Sequence, residues 1–217
     1  MTNDCLTALR NARALIFDFD GTLVQSNNIK WRGFEVAFAD FPERLPEIMA
    51  YCRGQHHTMR TDKFRYVYEH ILRLPYTAEV EHQLHVRFAA ATTQAIINAE
   101  EVRGSSAFLR RIPERYETGL LSSTPHEVLL DILGRRGIRE YFGVIQGAPV
   151  NKASWLGTFR RERALSAEQT IFFGDTADDM RSAQVAGCTF VGVGEPDVFA
   201  AAQYAIEDFR NIDLTHA

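Results

Sequence analysis

The apolar residues of this chain repeat with two different periods, and the change of period divides the sequence. An apolar run leads into the segment 18–22, which reads Asp-Phe-Asp-Gly-Thr. A short apolar run closed by a turn signal predicts a buried strand, here over residues 13–18. From about residue 25 to 98 the apolar residues repeat at helical spacing and no strand pattern occurs. We expect this stretch to form helices that bury their own apolar faces.

After Gly104 short apolar runs alternate with helical patterns. The predicted strands are 118–122, 141–146, 170–174, 188–193 and 204–206, and the predicted helices are 105–111, 125–136, 152–165, 178–186 and 199–203. Strands that alternate with helices predict an α/β fold with a parallel sheet and helices on both faces. Ligands bind such sheets beyond the carboxyl ends of the strands, so the polar residues at those ends are the candidate functional residues.

Two aspartates stand at the end of the first predicted strand. Asp18 and Asp20 are two positions apart, and side chains at that spacing point to the same face of a strand. Two neighbouring carboxylates repel each other unless a cation or a shared proton relieves them. The alternative is that both aspartates only form the turn before Gly21.

Other polar residues follow the neighbouring strands. Ser122 ends the next strand, Asp175 follows a buried strand, and Lys152 lies in the first turn of a helix. Carboxylate oxygens suit Mg²⁺, whereas a hydroxyl, an ammonium and open helix N-termini suit phosphate oxygens. A lysine in the first helical turn opposes the helix dipole, which favours a functional role for Lys152. The pattern predicts a phosphoryl-transfer site.

Structural roles explain some of the polar residues near these strand ends. Thr124 precedes Pro125 and has Glu127 three positions on, which predicts a helix cap and leaves Ser122 free for a ligand. Thr176 is in the same way predicted to cap a helix with Asp179 at the third position. The histidines, including His56 and His57, lack an acidic or cysteine partner at metal-ligand spacing and are interpreted as surface or cap residues.

Composition and charge narrow the class of protein. The chain has 217 residues, 46% hydrophobic and 24% charged, with a net charge of −4, which argues against a nucleic-acid partner. The three cysteines are scattered without metal-type spacing, as expected of reduced thiols in a cytosol. No basic-then-apolar leader and no membrane-length apolar run is found. We therefore expect a cytoplasmic protein with no membrane partner, either a monomer or a homodimer.

Four ordered motifs resemble those of the haloacid dehalogenase superfamily, and the closest resemblance is to its phosphoglycolate-phosphatase-like members. The motifs are the segment 18–22, Ser122 after an apolar strand, Lys152, and the segment 174–179, which reads Gly-Asp-Thr-Ala-Asp-Asp. Residues 1–24 and 100–217 are similar to the Rossmann-like, three-layer α/β/α core of that superfamily. Residues 25–99 are similar to its helical cap domain, which is inserted after the first strand. The chain departs from the common pattern at Ala153, where many members have proline after the motif lysine.

The resemblance implies a catalytic role for each aspartate of the first motif. Asp18 is expected to be the nucleophile that forms an aspartyl-phosphate, and Asp20 the general acid and then the general base. Mg²⁺ is expected to bind the Asp18 carboxylate, the Asp20 backbone carbonyl and Asp175, with Asp179 nearby or reaching the metal through water.

The same resemblance implies which groups hold the phosphoryl oxygens. Ser122 and Lys152 are expected to bind them, together with Thr22 and the backbone amide of Ser123. We further hypothesise that Arg53 or Arg60, in the basic part of the cap, binds the non-reacting end of the substrate. The alternative is that these cap cations are merely exposed.

The implied activity is Mg²⁺-dependent hydrolysis of a small phosphorylated metabolite, either phosphoglycolate-like or a sugar phosphate. Dehalogenases of the superfamily lack the second aspartate, so the presence of Asp20 favours phosphate chemistry. Two alternatives remain, a phosphomutase of the β-phosphoglucomutase type and a catalytically silent scaffold.

Overall fold

The computed structural model describes residues 2–55, 58–195, 199 and 201–214. His56 and His57 therefore lie outside the described residues, as does residue 200 in the predicted helix 199–203. The chain divides into two compact units. Met1–Gln25 with Ala99–Ala217 is called the sheet unit here, and Ser26–Asn98 is called the helical unit.

The helices and strands have the following bounds. The strands are β1 (Ala14–Phe17), β2 (Glu117–Pro125), β3 (Val144–Ala148), β4 (Thr170–Gly174), β5 (Thr189–Val193) and β6 (Tyr204–Ile206). The helices are α1 (Asn3–Asn11), α2 (Asn27–Ala37), α3 (Leu45–Gly54), α4 (Arg60–Tyr66), α5 (Ala78–Asn98), α6 (Ser105–Arg111), α7 (His126–Arg136), α8 (Lys152–Glu162) and α9 (Ala177–Ala186). A π-helical turn, Val67–Leu72, follows α4, and a 3₁₀ turn, Arg139–Tyr141, precedes β3.

The sheet unit is built on one parallel sheet with the strand order β3-β2-β1-β4-β5-β6. Every residue of β1 and of β4 is buried, as expected for central parallel strands that are covered on both faces. Ile16 pairs with Gly119 on one side and with Phe172 on the other, so the carboxyl ends of β1, β2 and β4 lie side by side.

Helices cover both faces of this sheet, which confirms the predicted Rossmann-like α/β fold. On one face Ile16 and Phe172 pack in a buried cluster with Leu156 of α8 and Ala183 of α9. On the other face the ring of Phe17 stacks on Phe173 at 4.8 Å and meets Phe108 of α6 at 6.2 Å. Aromatic pairs of this kind contribute about 0.5–1.5 kcal/mol each beyond the area that they bury.

The helical unit has an aromatic centre of its own. Phe34 of α2 makes edge-to-face contacts with Phe64 of α4 and Phe88 of α5, at 5.7 and 5.1 Å between ring centroids. Phe38 makes a further edge-to-face contact with Phe64. The helical periodicity between residues 25 and 98 therefore corresponds to an all-helical unit that buries its own apolar stripes.

Several predicted boundaries were wrong. Helix α1 was not predicted. Only two of its residues, Cys5 and Leu9, are buried, so its apolar face is too short to stand out in the sequence. Tyr141, which was predicted to begin the third strand, lies in the 3₁₀ turn, and α8 ends at Glu162 rather than at residue 165. Arg53, in the basic part of the predicted cap, lies in the last turn of α3. Among the described residues no helix is both long and apolar enough to span a membrane.

Candidate active site

Asp18 and Asp20 lie on a tight turn directly after β1. The backbone N–H of Asp18 still donates to the carbonyl of Phe173 on β4, at 2.8 Å, so Asp18 is fixed by the sheet. Gly21 then reverses the chain with φ of +83°, a conformation that glycine adopts at no steric cost, and its N–H donates to the carbonyl of Val24. Asp18 and Asp20 are only 5% and 4% exposed. Buried carboxylates of this kind need partners.

Lys152 is the cationic partner of Asp18. The side chain of Asn151 caps α8 by accepting from the N–H of Ser154, and this cap makes Lys152 the first residue of the helix. The Lys152 Nζ donates to Asp18 Oδ1 at 2.8 Å and to Asp179 Oδ1 at 2.6 Å. The unfavourable position of Lys152 at a helix N-terminus is therefore compensated by two buried carboxylates.

The pKa values of Asp18 and Lys152 follow from this burial and pairing. Burial raises the pKa of Asp18 to about 8, against the lowering effect of Lys152, and Asp179, Asp175 and Asp20 raise it further. Burial lowers the pKa of Lys152, but Asp179 and Asp18 raise it more, so it lies above its ordinary value. The lysine therefore stays charged, and the carboxylates around Asp18 favour the arrival of another cation.

Asp175 lies in the turn between β4 and α9, and Asp179 lies in the first turn of α9. Thr176 caps α9 by accepting from the N–H of Asp179, and the Asp179 carboxylate accepts from the N–H of Thr176 in return. The predicted capping box is therefore present. Asp179 is 1% exposed, and its two oxygens serve Thr176 and Lys152 separately. Asp175 is half-buried and accepts from the hydroxyl of Thr22 at 3.3 Å.

Three carboxylates form the donor set for a cation. One oxygen each from Asp18, Asp175 and Asp179 lies within 4.8 Å of the others. Hard oxygen donors from several carboxylates suit Mg²⁺, which also keeps several waters. The residues present thus fit the predicted metal. The side chain of Asp20 is outside this set of three.

The last residues of β2 have partners that differ from those predicted. Strand β2 continues to Pro125, and Pro125 precedes α7 without any side-chain cap. The prediction that Thr124 caps this helix was wrong, because its hydroxyl donates to Asp20 Oδ2 at 2.8 Å. Ser122 is fully buried and its hydroxyl lies 3.5 Å from the same oxygen, whereas Ser123 is exposed. Ser122 therefore lies beside Asp20, and Thr124 joins the site as a residue that the sequence did not indicate.

The two arginines predicted to bind substrate lie in the helical unit in different surroundings. The side chain of Arg53 is 55% exposed and pairs with Glu35 at 3.5 Å. Arg60 is half-buried, with its guanidinium 4.3 Å from the ring centroid of Phe88. Lys63, one turn further on, is 5% exposed, with its ammonium 5.4 Å from the ring centroid of Trp31. Arg60 and Lys63 are thus held on aromatic faces, and Arg53 is a surface residue of this unit.

Comparison with known proteins identifies the family. Residues 15–193 match the sequence profile of the haloacid dehalogenase-like hydrolases. This match covers most of the chain, so the chain belongs to the haloacid dehalogenase-like hydrolase family. The family predicted from the four motifs is confirmed. No curated protein shows significant sequence similarity to the chain.

Solved structures of similar fold carry several activities in their names. A predicted phosphoglycolate phosphatase from Haemophilus somnus has a TM-score of 0.73 at 17% identity, with 93% of this chain and 96% of that chain covered. A β-phosphoglucomutase from Clostridium difficile has a TM-score of 0.72 at 16% identity, with 93% of each chain covered. CbbY from Rhodobacter sphaeroides, in complex with a xylulose bisphosphate, has a TM-score of 0.71 at 17% identity, with 92% and 96% covered. At these identities the likeness concerns the fold.

Proposed function

We propose that this protein is a Mg²⁺-dependent phosphatase that hydrolyses a small phosphomonoester through an aspartyl-phosphate on Asp18. The observation that carries the proposal is the separation of the two aspartates of the first motif. Asp18 lies among a lysine and two carboxylates, whereas Asp20 is hydrogen-bonded to the hydroxyl of Thr124. These different surroundings support a nucleophilic role for Asp18 and a proton-carrying role for Asp20.

The proposed reaction has two steps. Asp20 gives up a proton in the first step and takes one back in the second. An oxygen of Asp18 attacks phosphorus, a P–O bond forms to the carboxylate, and the bond to the leaving oxygen breaks as Asp20 protonates that oxygen. Water then attacks the phosphorus of the aspartyl-phosphate and gives a proton to Asp20, which releases inorganic phosphate and restores both carboxyl groups. Bound Mg²⁺, held by Asp18, Asp175 and Asp179 with the Asp20 carbonyl, would neutralise charge on the phosphoryl oxygens.

The remaining residues of the site are proposed to hold the transferring group. Lys152 offers a charged ammonium beside Asp18, and Ser122 offers a buried hydroxyl beside Asp20. Thr22, whose hydroxyl donates to Asp175 in this structure, and the backbone N–H of Ser123 are proposed to complete the phosphoryl-binding site. Donors fixed before the reaction stabilise developing charge without a reorganisation cost, which is the usual main source of catalysis in such sites.

The proposed substrate is a small phosphorylated metabolite of the phosphoglycolate or sugar-phosphate type. The names of the solved structures with the same fold support this class of substrate. Arg60, or Arg53, is proposed to bind its non-reacting end in the manner of a carboxylate- or phosphate-binding guanidinium. If Arg53→Ala and Arg60→Ala both leave kcat/KM unchanged for the best substrate, this part of the proposal is wrong. We propose no nucleic-acid or membrane partner, a cytoplasmic location, and a monomer or homodimer.

Phosphate release by the purified protein tests the proposed activity. We expect Mg²⁺-dependent release from p-nitrophenyl phosphate and from members of a panel containing phosphoglycolate, hexose phosphates and pentose phosphates. Asp18→Asn should abolish release, because the amide is a poor nucleophile, while Asp178→Asn in the same unit should retain it. If wild-type protein and Asp18→Asn behave identically, a contaminant is responsible for the signal and the proposal fails.

A phosphomutase is the second candidate, since one of the similar folds is a β-phosphoglucomutase. A mutase returns the phosphoryl group to the sugar, whereas a phosphatase transfers it to water. Product analysis by ³¹P NMR separates the two, because a mutase yields an isomeric sugar phosphate with little inorganic phosphate. We expect inorganic phosphate in amounts equal to the substrate consumed.

A further inference from the structure

We propose that Thr124 is a positioning residue, whose hydroxyl holds the Asp20 carboxyl group in the orientation needed for proton transfer. The Thr124 Oγ1 donates to Asp20 Oδ2 at 2.8 Å, and the two residues are only 7% and 4% exposed. A hydrogen bond to a buried carboxyl group, out of competition with water, fixes the side-chain torsions of both partners. The inference rests on the proposed function of Asp20 as the proton carrier.

The backbone around Thr124 is held by contacts on two sides. Pairing between β2 and β3 is irregular between Leu121 and Pro125, and the two strands pair again at Pro125 and Ala148. The N–H of Thr124 donates to the Ser122 hydroxyl at 3.1 Å. On the β3 side, a Cβ added at Gly147 would come within 2.6 Å of the Thr124 carbonyl oxygen, so β3 packs closely against this residue. These contacts fix the backbone of Thr124, so its side chain can hold the Asp20 carboxyl group in one orientation.

The hydroxyl of Thr124 is committed to Asp20 rather than to its own helix. Local sequence favours a cap, yet α7 begins after Pro125 with no side-chain cap. A threonine hydroxyl has one proton to donate, and here the Asp20 carboxyl group accepts it. The Ser122 hydroxyl lies 3.5 Å from the same oxygen, so two hydroxyls of β2 meet Asp20 at Oδ2. The shorter of the two bonds, from Thr124, fixes the orientation of the carboxyl group.

Leaving-group acidity distinguishes this positioning role from a structural one. Phenyl phosphate and p-nitrophenyl phosphate have the same shape around phosphorus, but phenolate needs a proton as it leaves and p-nitrophenolate does not. The kcat/KM value reports only the steps through the first cleavage of the ester bond, so the later attack of water does not enter the comparison. A variant that merely loosens the fold lowers kcat/KM for both esters equally.

The experiment compares Thr124→Val, which removes the hydroxyl and keeps the shape, with Thr124→Ser, which keeps the hydroxyl. We expect Thr124→Val to lower kcat/KM for phenyl phosphate roughly tenfold or more, since positioned proton transfer contributes about 10²–10⁴-fold, and to change that for p-nitrophenyl phosphate less than about threefold. Thr124→Ser should restore most of the loss. Thr118→Val is the matched control, because Thr118 also lies on β2 and its hydroxyl donates to the carbonyl of Tyr141 at 2.7 Å. It should affect the two esters alike.

Equal losses with the two esters, no loss with either, or failure of Thr124→Ser to recover activity would each overturn the inference while wild-type phosphatase activity stands. A wild-type protein that hydrolyses neither ester would instead overturn the proposed function, and the inference with it. Should Thr124→Val not fold, as judged by circular dichroism, Thr124→Ala replaces it in the same comparison with the same expected results.

Discussion

Asp179 is expected to stabilise the folded protein far more than its neighbour Asp178. Its carboxylate is 1% exposed and accepts from Lys152 at 2.6 Å through one oxygen and from Thr176 through the other. Asp179→Asn keeps the shape but replaces one oxygen with an N–H₂ donor and removes the charge. The substitution therefore breaks either the bond to Lys152 or the reciprocal half of the capping box.

The size of this loss can be worked out from the contacts. A hydrogen bond between charged groups contributes about 1.5–3 kcal/mol, and a helix cap contributes about 1 kcal/mol. Breaking a buried ion pair costs about 3–5 kcal/mol, and the lower end applies here because Lys152 keeps its bond to Asp18. We therefore expect Asp179→Asn to lower the free energy of unfolding by about 3 kcal/mol. For a chain of this size that is a decrease in Tm of roughly 6–12 °C.

Urea unfolding followed by circular dichroism, in the presence of EDTA, measures this quantity without a contribution from bound metal. Asp178→Asn is the matched control in the same helical turn, since its side chain is 27% exposed and pairs with Arg181 at 3.6 Å. A pair of this kind is worth roughly 0–1 kcal/mol, so the control should lose no more than that. Equal losses in the two variants would refute the argument that the buried network around Asp179 stabilises the fold.

Three further predictions follow from single features of the structure. Burial raises the pKa of each of the three thiols to about 11. A disulfide reagent at pH 8 should therefore modify the native protein slowly and the urea-unfolded protein fast. Equal rates would contradict the burial of Cys5 and Cys52 and the half-burial of Cys188. Gly174→Ala should destabilise the protein strongly, because the new Cβ would lie 2.3 Å from Asp179 Cβ. Gly134→Ala in α7 should instead stabilise the protein by about 0.5–1 kcal/mol, because its new Cβ has no atom within 4 Å. Thermal unfolding of the two variants measures both effects. Mg²⁺ added after EDTA treatment should raise the Tm of the wild type, because a ligand at a hundredfold excess over its Kd stabilises the folded state by about 2.7 kcal/mol. The rise should be far smaller in Asp175→Asn. An equal rise in the two proteins would exclude Asp175 as a ligand.

The sheet and part of the site could be predicted because their signals are local. The continuous apolar runs of β1 and β4 are dictated by burial on both faces, so the runs themselves predict central parallel strands. Lys152 could be singled out because it stands where the helix dipole disfavours a cation. The structure shows the reason, which is that Lys152 binds two carboxylates, Asp18 directly after β1 and Asp179 in α9.

The partner of Asp20 could not be predicted, because the local signal at Thr124 favours another role. A threonine followed by proline and then glutamate predicts a helix cap on local grounds alone. The contact that Thr124 makes instead is with a residue 104 positions away in the sequence. Its formation depends on how far β2 extends past Ser122, and strand ends are set by pairing with neighbouring strands rather than by the sequence of the strand itself.

The surroundings of the predicted substrate-binding arginines could not be predicted from the local sequence either. Arg53 and Arg60 occur in the same basic stretch, and nothing in that stretch distinguishes them. Arg60 lies against an aromatic ring from α5, and Arg53 pairs with a glutamate from α2. These partners come from distant parts of the helical unit, so only its packing separates a half-buried cation from an exposed one.

Trapping the covalent intermediate tests the central claim, that Asp18 is the nucleophile, most directly. Wild-type protein turning over p-nitrophenyl phosphate with Mg²⁺ is quenched in acid, digested with trypsin and analysed by tandem mass spectrometry. We predict a phosphoryl group on Asp18 within the peptide 14–30, and no such group on Asp18→Asn treated in the same way. A phosphoryl group found on another residue, or steady turnover with an unmodified peptide 14–30, would contradict the account.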